Sequence, residues 1–173
     1  MIRRAVAGDA AVLARHRAEM FRDMGELPAA SYDGLVAASL AHFAEAISAG
    51  RFHGWLAVRA DRPEEIVAGA GVQLIERLPR PDARGRVTAA SEAYVFNVFT
   101  ERPWRRRGVA ERLMREVIDW ARAHGIRRLT LHASAEGRLL YQKLGFVATN
   151  EMRCELESAP GADPSPTAPR SAP

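Results

Sequence analysis

Residues 92–110, EAYVFNVFTERPWRRRGVA, contain the features that decide the fold. The segment 92–99 is almost continuously apolar and rich in aromatic and β-branched side chains, which is typical of a central strand buried on both faces. Three arginines and a glycine then precede a segment with helical periodicity. Cations are unfavourable at the positive end of an empty helix dipole. The pattern therefore predicts a phosphate-bearing ligand held by backbone N–H groups at this helix N-terminus.

Strand and helix patterns extend on both sides of this segment. They predict strands over residues 2–6, 54–60, 66–74, 127–133, 146–147 and 152–156, and helices over residues 10–24, 31–48 and 108–124 and around residues 139–141. Pro79, Pro81 and Gly85 predict a loop. The helix over 108–124 should bury Val109, Leu113, Val117, Ile118 and Ala121. Antiparallel strands early and one parallel crossover late predict an α+β fold, or α/β in a loose classification.

Composition bounds the class of protein. The chain has 173 residues, 47% hydrophobic and 27% charged, which suits one domain over residues 1–157. Residues 158–173, SAPGADPSPTAPRSAP, predict a disordered tail because they are rich in Pro, Ala and Ser. The net charge of +4 favours anionic ligands without implying nucleic acid. Cys154 is the only cysteine, and no signal peptide or membrane-spanning run is readable, so we expect a cytoplasmic protein.

Two motifs resemble the signatures of the GCN5-related N-acetyltransferases. Arg105-x-x-Gly108-x-Ala110 is similar to the acetyl-CoA signature of that family, and Tyr141-x-x-x-Gly145-Phe146 is similar to its late signature. The two motifs occur in the family's order and on the elements that the family uses. The resemblance is strong over residues 92–147.

The resemblance implies a mixed, splayed central sheet flanked by helices, the acyl-CoA N-acyltransferase fold. It opens after the fourth strand, and acetyl-CoA lies in the gap as cosubstrate, without a metal. The pantetheine arm would pair with the strand backbone at Val98, Phe99 and Thr100. The diphosphate would lie on backbone N–H groups of the loop formed by Arg105, Arg106, Arg107, Gly108, Val109 and Ala110. Gly108 suits this role because a residue without Cβ tolerates positive φ and a close phosphate oxygen.

Acetyl transfer to an amine needs a neutral nucleophile, a stabilised oxyanion and a proton for the leaving thiolate. By resemblance, Tyr141 is the general acid, because a phenol stays protonated at neutral pH. The alternative is a core tyrosine on a short helix. Ser134 occupies a position where many relatives carry a cofactor-contacting asparagine, which implies a cofactor contact. It also suits the N-cap of the short helix, and the two roles are compatible.

Glu92 is the candidate general base, because relatives often carry a glutamate on or near the fourth strand. Strand alternation places it on the same face as Tyr94, Phe96 and Val98. The alternative is an exposed carboxylate at the strand end. Glu101 and His132 are further candidates for the base, and His132 is otherwise a core histidine. Asn97 stands among apolar neighbours and needs hydrogen-bond partners if it is buried.

The resemblance implies an acetyl-CoA-dependent N-acetyltransferase that acts by direct attack of a small-molecule primary amine or a protein amino group. A noncatalytic acyl-CoA sensor is the first alternative. A nucleic-acid-binding module that uses residues 105–107 and 127–128 is the second, but no DNA-reading motif accompanies those arginines. We therefore expect neither nucleic acid nor a membrane as partner. A homodimer is compatible with the family, and no motif names the acceptor.

Overall fold

The computed structural model describes residues 1–76, 78–81, 84–88 and 91–154. The strands are β1 Ile2–Arg4, β2 Phe52–Val58, β3 Ile66–Ile75, β4 Arg80–Pro81, β5 Val87–Thr88, β6 Glu92–Thr100 and β7 Arg128–Thr130. The helices are α1 Ala10–Asp23, α2 Tyr32–Ser48, α3 Val109–Ala123 and α4 Arg138–Lys143. Short 3₁₀ turns cover Ala7–Asp9, Ala29–Ser31 and Arg102–Trp104.

The main sheet has five strands in the order β1-β2-β3-β6-β7. The first four are antiparallel to their neighbours, and β7 joins β6 in parallel after the α3 crossover. The sheet is mixed, flanked by helices and not closed into a barrel, so the predicted fold class is confirmed. Strand β3 is the middle strand, and β6 lies between it and the short edge strand β7.

Helix α3 covers one face of the sheet. Its buried stripe consists of Val109, Leu113, Met114, Val117 and Ala121, which pack against apolar residues of β2, β3 and β6. The stripe matches the 3.6-residue period that predicted it, with Met114 added and Ile118 only half-buried. Helices α1 and α2 form a second core with Phe52 and Leu56 of β2.

Two glycines in β3 let the other layers approach the sheet closely. A Cβ at Gly71 would lie 2.0 Å from Cζ of Phe52, inside the ring's van der Waals envelope. A Cβ at Gly69 would lie 3.1 Å from Nδ1 of His16 on α1. The absence of side chains at these positions sets how deeply α1 and the Phe52 ring pack on the strands that carry the site.

Several boundaries differ from the sequence-based expectations. Strand β7 has three residues rather than the seven of 127–133, and the loop around residues 79–85 contains the β4–β5 pair. The strand predictions over 146–147 and 152–154 are wrong, since these segments have no strand conformation. Two-residue apolar runs are too short to hold a strand without a firmly paired neighbour, and Val147 and Met152 are exposed. Residues 155–156 and the predicted tail 158–173 lie outside the described residues.

The prediction that β6 is buried on both faces is also wrong. Its side chains alternate between buried and half-buried, and each face of the strand is fully covered over only part of its length. Among the described residues, no helix combines the length and the apolar character needed to cross a bilayer.

Candidate active site

Strand β6 is much longer than its neighbour β7, and this mismatch opens the sheet. Register pairs join Glu92 to Arg128, Ala93 to Leu129 and Tyr94 to Thr130, and the pairing then stops. In the part of the chain that the structure describes, no strand lies beside residues 95–100 of β6 on that side. An unpaired strand edge offers N–H and C=O groups to any extended chain that lies along it. We call residues 95–100 the open edge; the predicted pantetheine contacts, Val98, Phe99 and Thr100, lie on it.

A bulge interrupts the open edge at Asn97. Gly71 pairs with Phe96 and Gly69 with Phe99, so two residues of β6 stand opposite one residue of β3. Asn97 has a φ of 56°, a conformation that Asn adopts more readily than most residues.

The bulge changes which face of the sheet the side chains meet. Before it, Val95 belongs to the core under α3, and after it Val98 packs against that same core. Phe99 instead meets α1, with its ring 4.9 Å from that of His16. Simple alternation along the strand did not predict this inversion; the only sequence signal is an asparagine within an apolar run.

The loop after β6, residues 102–110, has backbone features that suit the predicted anion site. Arg106 has a φ of 61° and Gly108 a φ of 72°, and Gly108 is the residue before the first turn of α3. No side chain caps this helix, and its first hydrogen bond runs from the Arg112 N–H to the Gly108 carbonyl. The N–H groups of the first helical turn therefore have no acceptor within the helix. A Cβ at Gly108 would meet no atom within 4 Å, so the concave side of the loop is open.

The three arginines of this loop are not equivalent. Arg105 donates from Nε to the Thr100 carbonyl at 2.9 Å, and its guanidinium also pairs with Asp23 at the end of α1. It thereby ties the loop to the end of β6 and to α1. Arg106 and Arg107 are exposed, and Arg107 stacks over the Trp104 ring at 5.2 Å. These two cations remain at the rim of the loop, while contact of Arg105 with a phosphate stays a prediction.

Tyr141 is buried on α4 and belongs to the core under α3, with the Phe146 ring 5.8 Å away. Burial raises the pKa of its hydroxyl to about 12, so the phenol holds its proton at neutral pH. A Cβ at Gly137 would lie 2.9 Å from the Tyr141 ring, which accounts for a glycine directly before α4. The structure makes Tyr141 a core residue and a protonated donor together, so the two readings of the sequence are compatible.

Ser134 stands in the turn that leads into α4. Its Oγ accepts a hydrogen bond from the Gly137 N–H at 3.2 Å, and its carbonyl accepts one from the Arg138 N–H at 3.1 Å. The serine thus holds the start of the helix that carries Tyr141. Its predicted contact with the cofactor stays a prediction.

The candidate bases occupy three different environments. Glu92 is 2% exposed, and its Oε1 accepts a hydrogen bond from the Arg128 guanidinium across the paired end of β6 and β7. The alternative of an exposed strand-end carboxylate is therefore wrong.

His132 is exposed, with Nδ1 in hydrogen-bond contact with the Tyr94 hydroxyl, so it is not a core histidine. Glu101 is half-buried directly after the open edge and pairs with Arg15 of α1 at 2.5 Å.

Buried polar atoms without partners lie on the two strands that flank the gap. They are Oγ1 of Thr100 and Oγ1 of Thr130, the last residue of β7. Buried polar groups in proteins nearly always have a hydrogen-bond partner, so these atoms indicate a polar occupant. The amide groups of a pantetheine arm carry both donors and acceptors. The open edge, the anion-receiving loop and these atoms together fit acetyl-CoA.

Two surface depressions lie at the two ends of α3, and the first includes Trp104 and Val109 of the loop 102–110. One has a volume of about 510 Å³ and lies beside Trp104 and Arg112, and the other, about 470 Å³, lies beside Trp120 and His124. Neither is lined by the open edge of β6. We place the site at the strand gap because unpaired backbone and unpartnered side-chain groups lie there.

Comparison with known proteins shows which family the chain belongs to. Residues 19–146 match the model of the acetyltransferase (GNAT) family, and this range includes both motifs. The chain belongs to the GNAT acetyltransferase family. GNAT acetyltransferases carry out acyl transfer that depends on acetyl-CoA.

Solved GNAT structures superpose on most of the chain. A GCN5-related N-acetyltransferase from Ralstonia eutropha JMP134 is 25% identical, with a TM-score of 0.79 over 90% of this chain and 97% of that one. A predicted acetyltransferase with acetyl-CoA from Clostridium acetobutylicum is also 25% identical, with a TM-score of 0.73 over 91% and 95%. Glucosamine-6-phosphate N-acetyltransferase from Arabidopsis thaliana is 14% identical and shares the fold, with a TM-score of 0.66 over 91% and 98%. No curated protein matches the sequence.

Proposed function

We propose that this GNAT protein is an N-acetyltransferase. It transfers the acetyl group of acetyl-CoA to the primary amine of a small molecule or to a protein amino group, by direct attack on the thioester. One observation carries the proposal: the open edge of β6 leads directly to a helix N-terminus whose preceding residue, Gly108, leaves the backbone N–H groups accessible.

The cofactor is proposed to lie along β6. Its pantetheine arm occupies the place of a missing strand beside Val98, Phe99 and Thr100. Its diphosphate accepts hydrogen bonds from N–H groups at the start of α3, where the helix dipole favours negative charge. Arg106 and Arg107 add two cations at the rim of the same loop. The thioester then lies near the bulge at Asn97, within the open edge of β6.

Tyr141 is proposed to protonate the leaving thiolate. Its phenol keeps its proton at neutral pH because burial raises its pKa to about 12. Among the described residues no side chain or backbone group is hydrogen-bonded to its hydroxyl, so the proton is not committed elsewhere. As the C–S bond breaks, the developing thiolate becomes the acceptor that the hydroxyl otherwise lacks.

Two experiments test the proposal: one measures binding of acetyl-CoA and the other measures turnover. Calorimetry with acetyl-CoA measures binding to the unmodified protein, to Gly108→Glu and to the matched control Gly125→Glu at the opposite end of α3. Both glycines have positive φ and open space at the Cβ position, so backbone strain is similar in the two variants. Only Gly108→Glu puts a carboxylate where the diphosphate should lie, and we expect it alone to lose binding.

Turnover is measured as release of free CoA thiol with benzylamine, spermidine and a peptide with a free N-terminus. Acetylation of any of these amines supports the enzyme. Tight binding of acetyl-CoA without turnover on any amine favours the acyl-CoA sensor instead. Equal binding of acetyl-CoA by the protein and by Gly108→Glu contradicts the placement of the cofactor.

A further inference from the structure

A fully buried histidine lies against the end of the open edge, and the function proposed above does not use it. His16 of α1 is 0% exposed and packs between Phe99 of β6 and Gly69 of β3. Among the described residues, Nδ1 has no hydrogen-bond partner, and the nearest acceptor to Nε2 is Oε1 of Glu101 at 3.3 Å, in a contact without good hydrogen-bond geometry. An unsatisfied buried polar group costs about 1–3 kcal/mol, so such an imidazole needs a compensating role or an occupant.

Asn97 adds a second unsatisfied group to the same layer. Its side chain is held by one hydrogen bond, from Nδ2 to the Leu13 carbonyl at 3.0 Å, and its Oδ1 has no partner. Leu13 and His16 are one turn apart on α1, so they face the sheet together. The unpartnered atoms of both side chains therefore belong to the layer between α1 and the sheet, where Nδ1 of His16 faces Gly69 of β3 and Asn97 contacts α1 through Leu13.

The charges around His16 fix the direction of its hydrogen bonds. Glu101 places Oε1 3.3 Å from Nε2 of His16, and a carboxylate can only accept. Nε2 is therefore the protonated nitrogen, which leaves Nδ1 as an acceptor. Arg15 and Glu19 are the other charged groups that act on the ring, both on α1, and Gly69 of β3 lies against its Nδ1.

Two buried acceptors, Nδ1 of His16 and Oδ1 of Asn97, require a group that donates hydrogen bonds. Because His16 is fully buried, we expect the donor beside these two atoms to be a water molecule rather than the larger acceptor amine. The water would lie close to the bulge where the thioester is proposed to sit. The other ring nitrogen of His16 faces Glu101, whose side chain is 26% exposed.

We propose that His16, with a water held by Asn97 and with Glu101, forms the path by which the acceptor amine loses its proton. The proposal rests on the proposed function. The ammonium gives a proton to the water, the water gives one to Nδ1, and Nε2 passes one to the Glu101 carboxylate, which releases it to solvent. The neutral amine then forms the C–N bond as the C–S bond breaks. Once the C–N bond has formed, the nitrogen loses a second proton. That proton returns to Tyr141, which has given its own proton to the thiolate.

This path assigns Glu92 a different task. Its Oε1 is occupied by Arg128, and the carboxylate is almost fully buried where β6 and β7 are still paired. That ion pair holds the two strands together at the closed end of the gap. Glu101, by contrast, follows the open edge directly and reaches solvent. His16 is a positioning residue in this scheme, because it acts through the water.

The test compares two amines of different basicity. Benzylamine is protonated at pH 7 and must lose a proton before attack, whereas an aniline is already neutral. His16→Phe keeps an aromatic ring against Phe99 but removes both nitrogens, and His16→Gln covers the case in which the first variant folds poorly. His42→Phe on the exposed side of α2 is the control.

We expect His16→Phe and His16→Gln to lower kcat for benzylamine about tenfold or more, with a much smaller loss for the aniline. Acetyl-CoA should bind with an unchanged Kd, and Glu101→Gln should reproduce the pattern. A purely structural defect would slow both amines equally, and that result overturns the proposal, as does a kcat for benzylamine within twofold of the parent. If the parent protein acetylates neither of these amines, and neither spermidine nor the peptide with a free N-terminus, the proposed function itself fails.

Discussion

Because the His16 imidazole is buried, we expect the free energy of unfolding to depend on pH within a defined range. Burial is the largest cause that lowers the pKa of its imidazole, to about 4 from an ordinary 6.5, and the Arg15 cation lowers it further. Glu101 and Glu19 oppose this shift without cancelling it. The folded protein therefore resists protonation of a group that the unfolded chain protonates readily.

The sign and size follow from proton linkage. Between pH 6.5 and 4 the unfolded state binds more protons, so the free energy of unfolding falls as pH falls through this window. One pKa unit corresponds to about 1.4 kcal/mol, so the pKa shift of His16 can change the free energy of unfolding by about 3 kcal/mol at most. We expect the free energy of unfolding to be about 2 kcal/mol lower at pH 5 than at pH 8.

Urea denaturation at half-unit steps from pH 5 to pH 8 measures this difference. His16→Phe should lose about 2 kcal/mol less than the parent over that range, because it has no imidazole to protonate. His42→Gln, on the exposed side of α2, should follow the parent. Parallel curves for the parent and His16→Phe would show that the imidazole is not held neutral in the fold.

The remaining predictions concern the general acid and the packing of β3. Tyr141→Phe should lower kcat by about ten- to a thousandfold with little change in the KM for acetyl-CoA, measured as thiol release; a raised KM with unchanged kcat would assign Tyr141 to binding. Gly71→Ala should destabilise the fold by about 1–3 kcal/mol in urea denaturation, since its Cβ would lie 2.0 Å from the Phe52 ring. Gly34→Ala, with open space on α2, should not destabilise the protein. Similar stabilities of the two alanine variants would contradict the close approach of Phe52.

Local patterns predicted the parts of the fold that depend on local physics. The stripe of α3 follows from a 3.6-residue period, and its start follows from a glycine that takes positive φ at residue 108. The apolar run of β6 likewise predicted a strand with nearly the observed ends, Glu92–Thr100. These features need no knowledge of distant residues.

Features that depend on distant pairing were not predictable in the same way. The length of β7 is set by where β6 diverges from it, and the bulge at Asn97 depends on the register with β3. The environment of Glu92 is decided by Arg128, 36 residues later in the chain. His16 resembled any other helical residue, because its burial follows from β3 and β6 packing beneath α1.

The most direct test of the account is hydrogen–deuterium exchange with and without acetyl-CoA. The account predicts slower amide exchange in residues 95–100, along the open edge, and in residues 106–111, around the start of α3. The remaining strands should change little. Protection confined to the depression beside Trp120 and His124, with exchange in residues 95–111 unaffected, would contradict the claim that the cofactor lies between β6 and β7.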